Sequence, residues 1–304
     1  MSMTIQFNCP NCNAVIGFAD KHCGKRARCT TCGQRFIIPT KDDEKPKKVK
    51  PPKERGEPLP GFYRAVFVDS RRLFTTPENV TGLVFIATAV CFKFFVARMN
   101  YTMTIPGRSL TFDIPLPIGH VLNAAAWGFL FWYYMQVIYS TAFELDELPD
   151  VIVGGGSGLF WRIVTSIYTF FVALLVVELP FFIAVIISRV MEVKLPVLLY
   201  VLASAGLFLF PMAVLTAAVG RDLTMLRPDY LLVPVFRAFM PYTVVAALLG
   251  AAALLQTQAS QYAGQGFAAA TGHLLLNLAV QALALSAMRS IGLFHRHYSC
   301  HFSW

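Results

Sequence analysis

Four cysteines stand in two pairs, Cys9-x2-Cys12 and Cys29-x2-Cys32, with sixteen residues between the pairs. Two short Cys-x2-Cys knuckles place four sulfurs around one tetrahedral point, which is the donor set of a structural zinc site. Iron in the same thiolate cage is the competing occupant. A disulfide framework is disfavoured if the head faces a reducing compartment. A redox Cys-x-x-Cys would begin a helix after a strand, and neither pair does so. Four thiolates around Zn²⁺ leave a double negative charge, and Lys21, Lys25, Arg26, Arg28 and Arg35 surround them. Neutralising the site is one task for these bases, and binding nucleic acid or an acidic partner is another. No aromatic stacking pattern accompanies them, which argues against nucleic acid. Cys23 is a surplus thiol, expected to fill space as a small buried residue.

A second group of polar residues lies inside apolar runs. Lys93 and Glu178 are ionisable residues within spans, where charge marks function or an ion pair. Both fall in the outer halves of helices that run outward, so they are expected at similar depth and paired. His273, Asn277 and Gln281 recur every four residues, which puts them on one helical stripe facing other helices. Such a stripe lines a pore or bonds helices together. The tail HRHYSCHFSW adds His295, His297, Cys300 and His301, a soft-metal set or an interfacial tail anchored by Tyr298 and Trp304. GGGSG at 154–158 lacks the Gly-Lys-Ser/Thr ending of a phosphate loop and reads as a hinge. ELDELPD before it reads as a solvated acidic turn. There is no His-Glu-x-x-His helix, no Gly-x-Ser-x-Gly turn and no nucleotide fingerprint, so the sequence offers no catalytic residue.

The elements that must position these residues divide the 304-residue chain into three zones. Residues 1–40 form the thiol-rich head, with apolar strand-like pieces around the knuckles at Ile5, Phe7, Val15, Ile16, Phe18 and Phe36–Ile38. So short a piece rarely folds unaided, and the metal supplies the folding energy. Residues 41–60, KDDEKPKKVKPPKERGEPLP, mix Lys, Glu and Pro and read as an extended linker. Residues 61–304 form the membrane part. Hydrophobic residues make up 56% of the chain and charged residues only 14%, against about 25% charged in ordinary soluble domains. The net charge of +9 lies mostly before residue 75.

Six runs are long enough to span hydrocarbon, at roughly 79–97, 119–143, 159–187, 195–219, 234–255 and 267–288, and in lipid each must be helical. Pro180, Pro211 and Pro241 are expected to kink their helices. GFYRAVFVDSRRLF before the first run reads as an interfacial helix. Thr76 is placed to cap the helix that Pro77 begins. YTMTIPGRSLTFDI after the first run alternates and reads as a β-hairpin. Basic residues near the span ends favour both termini in the cytoplasm of a cell membrane. The fold class is therefore a small β zinc ribbon joined to an all-α transmembrane bundle of about six helices.

The run IQFNCPNCNAVIGFADKHCGKRARCTTCGQRFIIP resembles the short finger-like zinc ribbons at the N-termini of many bacterial proteins. Cys9-Pro10, Gly24-Lys25, Arg28-Cys29, Cys32-Gly33 and Pro39 stand where that pattern has them, and Cys23 stands where such ribbons carry a small residue. The remainder resembles, in general character, the multi-pass membrane domains often fused behind such ribbons. The resemblance implies an interaction or folding module and no reaction. The expectation is an integral membrane protein whose ribbon engages a cytoplasmic protein partner or helps assembly, with structural Zn²⁺ on Cys9, Cys12, Cys29 and Cys32. The alternative is a transporter or channel built on Lys93, Glu178 and His273. A membrane enzyme acting on lipids is the third class.

Overall fold

The computed structural model describes residues 4–19, 22–39, 47–48, 57–96, 101–106, 111–116, 118–151, 156–193, 196–220, 223–260 and 266–302. The head is two small antiparallel sheets. Strands β1 (Thr4–Asn8) and β2 (Val15–Ala19) pair with Phe7 opposite Ile16. Strands β3 (Arg26–Arg28), β4 (Arg35–Ile37) and β5 (Lys47–Lys48) form the second sheet, in that order. Alternation along the strands turns Phe7 and Ile16 inward and leaves Val15 exposed. Phe7, Ile16, Ala27, Phe36 and Ile38 make a core of few side chains, with the Phe7 and Phe36 rings edge to face at 5.3 Å. Cys23 packs against this core, partly buried. One feature departs from the sequence reading: β5 draws two residues of the Lys- and Pro-rich segment onto the edge of β4.

Among the described residues, six helices are long and apolar enough to cross a membrane. Two short helices precede them, α1 (Phe62–Phe67) and α2 (Arg72–Thr75). Phe62, Val66 and Leu73 are buried, while Tyr63, Phe67 and Phe74 stay exposed. The predicted interfacial helix is thus broken near Val68, and one side of it packs into the protein. Thr76 does not cap forward; its hydroxyl donates back to the Arg72 carbonyl at 2.6 Å. Pro77 still opens the turn into α3 (Val80–Val96), where its missing N–H costs nothing. The hairpin β6 (Tyr101–Pro106) and β7 (Thr111–Leu116) follows in antiparallel register.

Helices α4 (Ile118–Ala142), α5 (Gly156–Val190) and α6 (Pro196–Gly220) come next. The fifth span starts later than predicted. A separate amphipathic helix α7 (Pro228–Arg237) ends at Ala238, whose backbone leaves helical geometry. Helix α8 (Phe239–Ser260) then begins. Pro241 therefore sits in its first turn, where proline needs no kink, whereas Pro180 and Pro211 lie inside α5 and α6. Helix α9 (Phe267–Tyr298) has 32 residues. At about 1.5 Å per residue it measures roughly 48 Å, longer than the roughly 30 Å of hydrocarbon that an upright helix needs to cross.

Helix α4 packs against α3, α5 and α9, which makes it the centre of the bundle. Close approach depends on missing side chains. A Cβ on Gly292 of α9 would lie 2.7 Å from the Ile138 carbonyl oxygen of α4. One on Gly206 of α6 would lie 2.6 Å from the Glu178 carboxylate of α5. Small residues at helix contacts let backbones approach, which is the main source of packing energy where lipid removes the hydrophobic drive.

Candidate metal centre

The knuckles set the cysteine geometry. The Cys9 amide donates to the Ala14 carbonyl at 2.8 Å and the Asn13 amide to the Cys9 carbonyl at 3.1 Å. The second knuckle repeats this, with Cys29 N to Gln34 O at 2.8 Å and Gly33 N to Cys29 O at 3.0 Å. Both turns close through a left-handed residue, Asn13 at φ 56° and Gly33 at φ 71°. Glycine and asparagine are the residues that accept this conformation most readily. Amides of Asn11 and Thr31 point at the Cys9 and Cys29 sulfurs, at 3.5 and 3.4 Å, and spread their negative charge. Arg28 Nε donates to the Gly33 carbonyl at 3.0 Å and braces the second knuckle.

All four Sγ atoms lie within 4.8 Å of one another, with Cys9 to Cys32 at 3.6 Å and Cys12 to Cys29 at 3.7 Å. Zinc–sulfur bonds of about 2.3 Å in a tetrahedron require sulfurs about 3.8 Å apart. The donor set therefore fits one tetrahedral ion, and the cysteines are free thiols, with no disulfide among them. The thiols do not share charge equally. The Cys32 thiol is lowered to about 6: partial burial opposes ionisation, but the Gln34 amide, the neighbouring sulfurs and Asn11 outweigh it. Cys12 is pushed up to about 12: the Ala14 amide favours its thiolate, but burial and the sulfurs of Cys32, Cys9 and Cys29 prevail. Burial also raises Cys29, against the amides of Cys32 and Thr31. The Cys32 thiolate is easy to form, and those of Cys12 and Cys29 need a cation beside them.

The ribbon is seated on the membrane bundle. Lys25 bonds the Glu147 carboxylate, and His22 Nδ1 lies 3.9 Å from it. Arg35 Nη2 meets Glu144 at 2.7 Å, with side chains only 21% and 11% exposed. Both acids belong to the α4–α5 connection, ELDELPD, which the sequence presented as a solvated turn. That connection is pinned. Glu144 has a left-handed backbone at φ 69°, and Leu145 N donates to the Ser140 carbonyl at 2.9 Å. Leu148 N donates to Asn79 Oδ1 at 2.8 Å, and Tyr133 to the Pro149 carbonyl at 3.3 Å. Asp146, between the two glutamates, is held from the other side by Arg296 at 2.8 Å and Arg289 at 3.6 Å, both on α9. Lys25 and Arg35 thus serve the seat, and Arg28 the knuckle. Lys21 lies outside the described residues.

The intramembrane residues are not brought together as predicted. Lys93 Nζ is buried with no hydrogen-bond partner and sits 4.2 Å from the centre of the Trp127 ring of α4. Glu178 packs against Gly206 instead. Helix α4 stands between α3 and α5, so equal depth does not become contact. The α9 stripe bonds helices. Asn277 donates to the Ala259 carbonyl of α8 at 3.3 Å and to the His273 carbonyl at 2.9 Å. Gln281 donates to Gln256 of α8 at 2.7 Å and accepts from Tyr134 of α4. His273 lies beside the Phe94 ring, at 6.4 Å. The tail residues do not converge. His295 packs against Phe143 and Phe302, His297 meets the Leu59 carbonyl at 3.0 Å, and His301 stacks on Tyr298. Among the described residues, Cys9, Cys12, Cys29 and Cys32 are the one group of metal-binding side chains that meets. Gly154 and Gly155 of the predicted hinge lie outside the described residues, and Gly156 begins α5.

No family model, no curated protein and no solved structure matches this chain.

Proposed function

We propose that this chain is an integral protein of the cell membrane whose zinc-loaded ribbon is an interaction and assembly module, seated on its own bundle at the cytoplasmic end. The observation that carries the reading is the match between a basic ribbon face and an acidic connection, Lys25 with Glu147 and Arg35 with Glu144. Zinc organises β3 and β4, and those strands hold the two bases in register for the seat. The orientation rests on the arginines that gather at the ribbon end, Arg64, Arg71, Arg72, Arg162, Arg227, Arg237, Arg289 and Arg296, as expected of a cytoplasmic face. Neither ion pair is fully shielded from water, so an acidic protein partner competes for the same ribbon face. A cytoplasmic protein that presents carboxylates is therefore the partner class.

The test is a crosslinking pull-down from membranes with three samples: the intact chain, the chain lacking residues 1–40, and the intact chain treated with a zinc chelator. The reading expects the second and third samples to lose the same partners and to show a less stable bundle. An unchanged partner list and unchanged bundle melting in both samples would overturn it.

A further inference from the structure

At the ribbon end of the bundle, α1 and α2, the α4–α5 connection and the last turns of α9 enclose a polar pocket of about 600 Å³. Arg64 and Arg72 line one wall, and Arg289 and Arg296 line the other. Arg289 is only 5% exposed. Its Nη1 donates to the Asp146 carbonyl at 3.2 Å, yet its Nε is buried with no hydrogen-bond partner. A buried guanidinium donor left unmatched is destabilising, and an acceptor that reached it from the pocket would relieve that.

The surrounding charges leave the arginines in excess. Asp69, Asp146 and Glu147 are the carboxylates in the wall. Asp146 is shared by Arg289 and Arg296, and Glu147 is taken by Lys25 of the ribbon. Arg64 and Arg72 have no ion-pair partner among the described residues, and Asp69 alone stands against them. Several planar forks converging from two walls suit an anion with three or more oxygens, because each guanidinium can bind two of them. The pocket also sits at a particular height. Tyr63, Phe67 and Phe74 on the same short helices are 48%, 52% and 40% exposed. Such side chains belong at the boundary between acyl chains and headgroups.

We propose that this pocket binds a phosphate group, supplied by the headgroup of an anionic phospholipid and clamped between Arg64 and Arg72 on one side and Arg289 and Arg296 on the other. The site uses the α4–α5 connection but does not require the ribbon to recruit a protein.

The full chain, purified in a neutral detergent, is titrated with phosphatidylglycerol or phosphatidylcholine, and the retained lipid is counted by native mass spectrometry. R64Q/R72Q removes two exposed arginines that line the pocket. R71Q/R237Q removes two from the same end of the bundle that do not. At about fivefold per arginine, phosphatidylglycerol retention should fall about 25-fold in R64Q/R72Q. It should stay within about twofold of wild type in R71Q/R237Q, and R64K/R72K should recover part of the loss. Equal losses in the two glutamine pairs would mean diffuse surface charge and would overturn the site. So would equal retention of phosphatidylcholine. Displacement of the lipid by millimolar inorganic phosphate would assign the pocket to a soluble phosphate and overturn the lipid. The R64K/R72K protein keeps the charge and fold, so failure of R64Q/R72Q to fold does not remove the test.

Discussion

Glu144→Gln isolates the seating of the ribbon. It removes the charge that faces Arg35 at 2.7 Å but leaves shape and volume almost unchanged. Exposed pairs contribute about 0.2–1 kcal/mol, and breaking fully buried pairs costs about 3–5 kcal/mol. With side chains 21% and 11% exposed, this pair lies between those limits. A loss of about 1–2 kcal/mol is expected, which lowers the seating equilibrium about 5- to 30-fold. The released ribbon stays covalently joined to the bundle through residues 41–60. The readout is a zero-length carbodiimide crosslink between Lys25 and Glu147, a pair in direct contact in the seated state that the substitution does not touch. Its yield should drop in Glu144→Gln, drop again as salt shortens the screening length towards about 3 Å at 1 M, and recover in R35E/E144R. A yield that responds neither to Glu144→Gln nor to salt would show that these charges do not hold the ribbon in place.

Acid should release the metal. The Cys32 thiol sits at about 6 rather than its ordinary 9.0, so its stabilising thiolate is present above that range and is lost as pH falls through it. Zinc occupancy, followed with a chromogenic indicator, should fall as protons compete with the metal for the thiolates, and Cys9→Ser should release it at a higher pH than the unsubstituted chain. Gly292→Ala should destabilise the α4–α9 crossing by about 1–3 kcal/mol, because its Cβ meets backbone that cannot swing away. Gly250→Ala, with open space around it, should be neutral or slightly stabilising in the same thermal melt. Gln281→Leu strands the Tyr134 hydroxyl and the Gln256 amide, and should cost about 1–2 kcal/mol in an SDS unfolding titration.

What the sequence made legible was whatever a single segment fixes by itself. The knuckle spacing sets sulfur positions within a few residues of backbone, so Cys9, Cys12, Cys29 and Cys32 meet where spacing placed them. The four-residue repeat of His273, Asn277 and Gln281 is a property of one helix, and its use between helices followed from lipid being a poor partner for amides. Lys93 and Glu178 show the limit. Hydropathy gives depth along each helix, but neither its rotation nor the order of its neighbours, and α4 occupies the space between them. The start of the fifth span failed for a local reason. Apolar character continues from α7 into α8, while the break at Ala238 is a backbone event that composition does not record.

The seat was missed because its pairs lie more than 100 residues apart, Lys25 with Glu147 among them. A sequence signal existed: a basic head and an acidic connection that topology puts at the same end of the bundle. The connection is short, and its carboxylates have divided allegiance. Glu144 and Glu147 face the ribbon, while Asp146 faces Arg289 and Arg296 of α9. Neighbouring carboxylates repel unless each has its own cation, so each set of bases reduces the charge that the other must meet. Removing Lys25 and Arg35 from the seat leaves Glu144 and Glu147 bare beside Asp146, and the local potential at Arg289 becomes more negative. On the proposed reading, metal in the cage, strands in the ribbon, charge on the connection and anion affinity of the α9 arginines are successive links in one electrostatic chain.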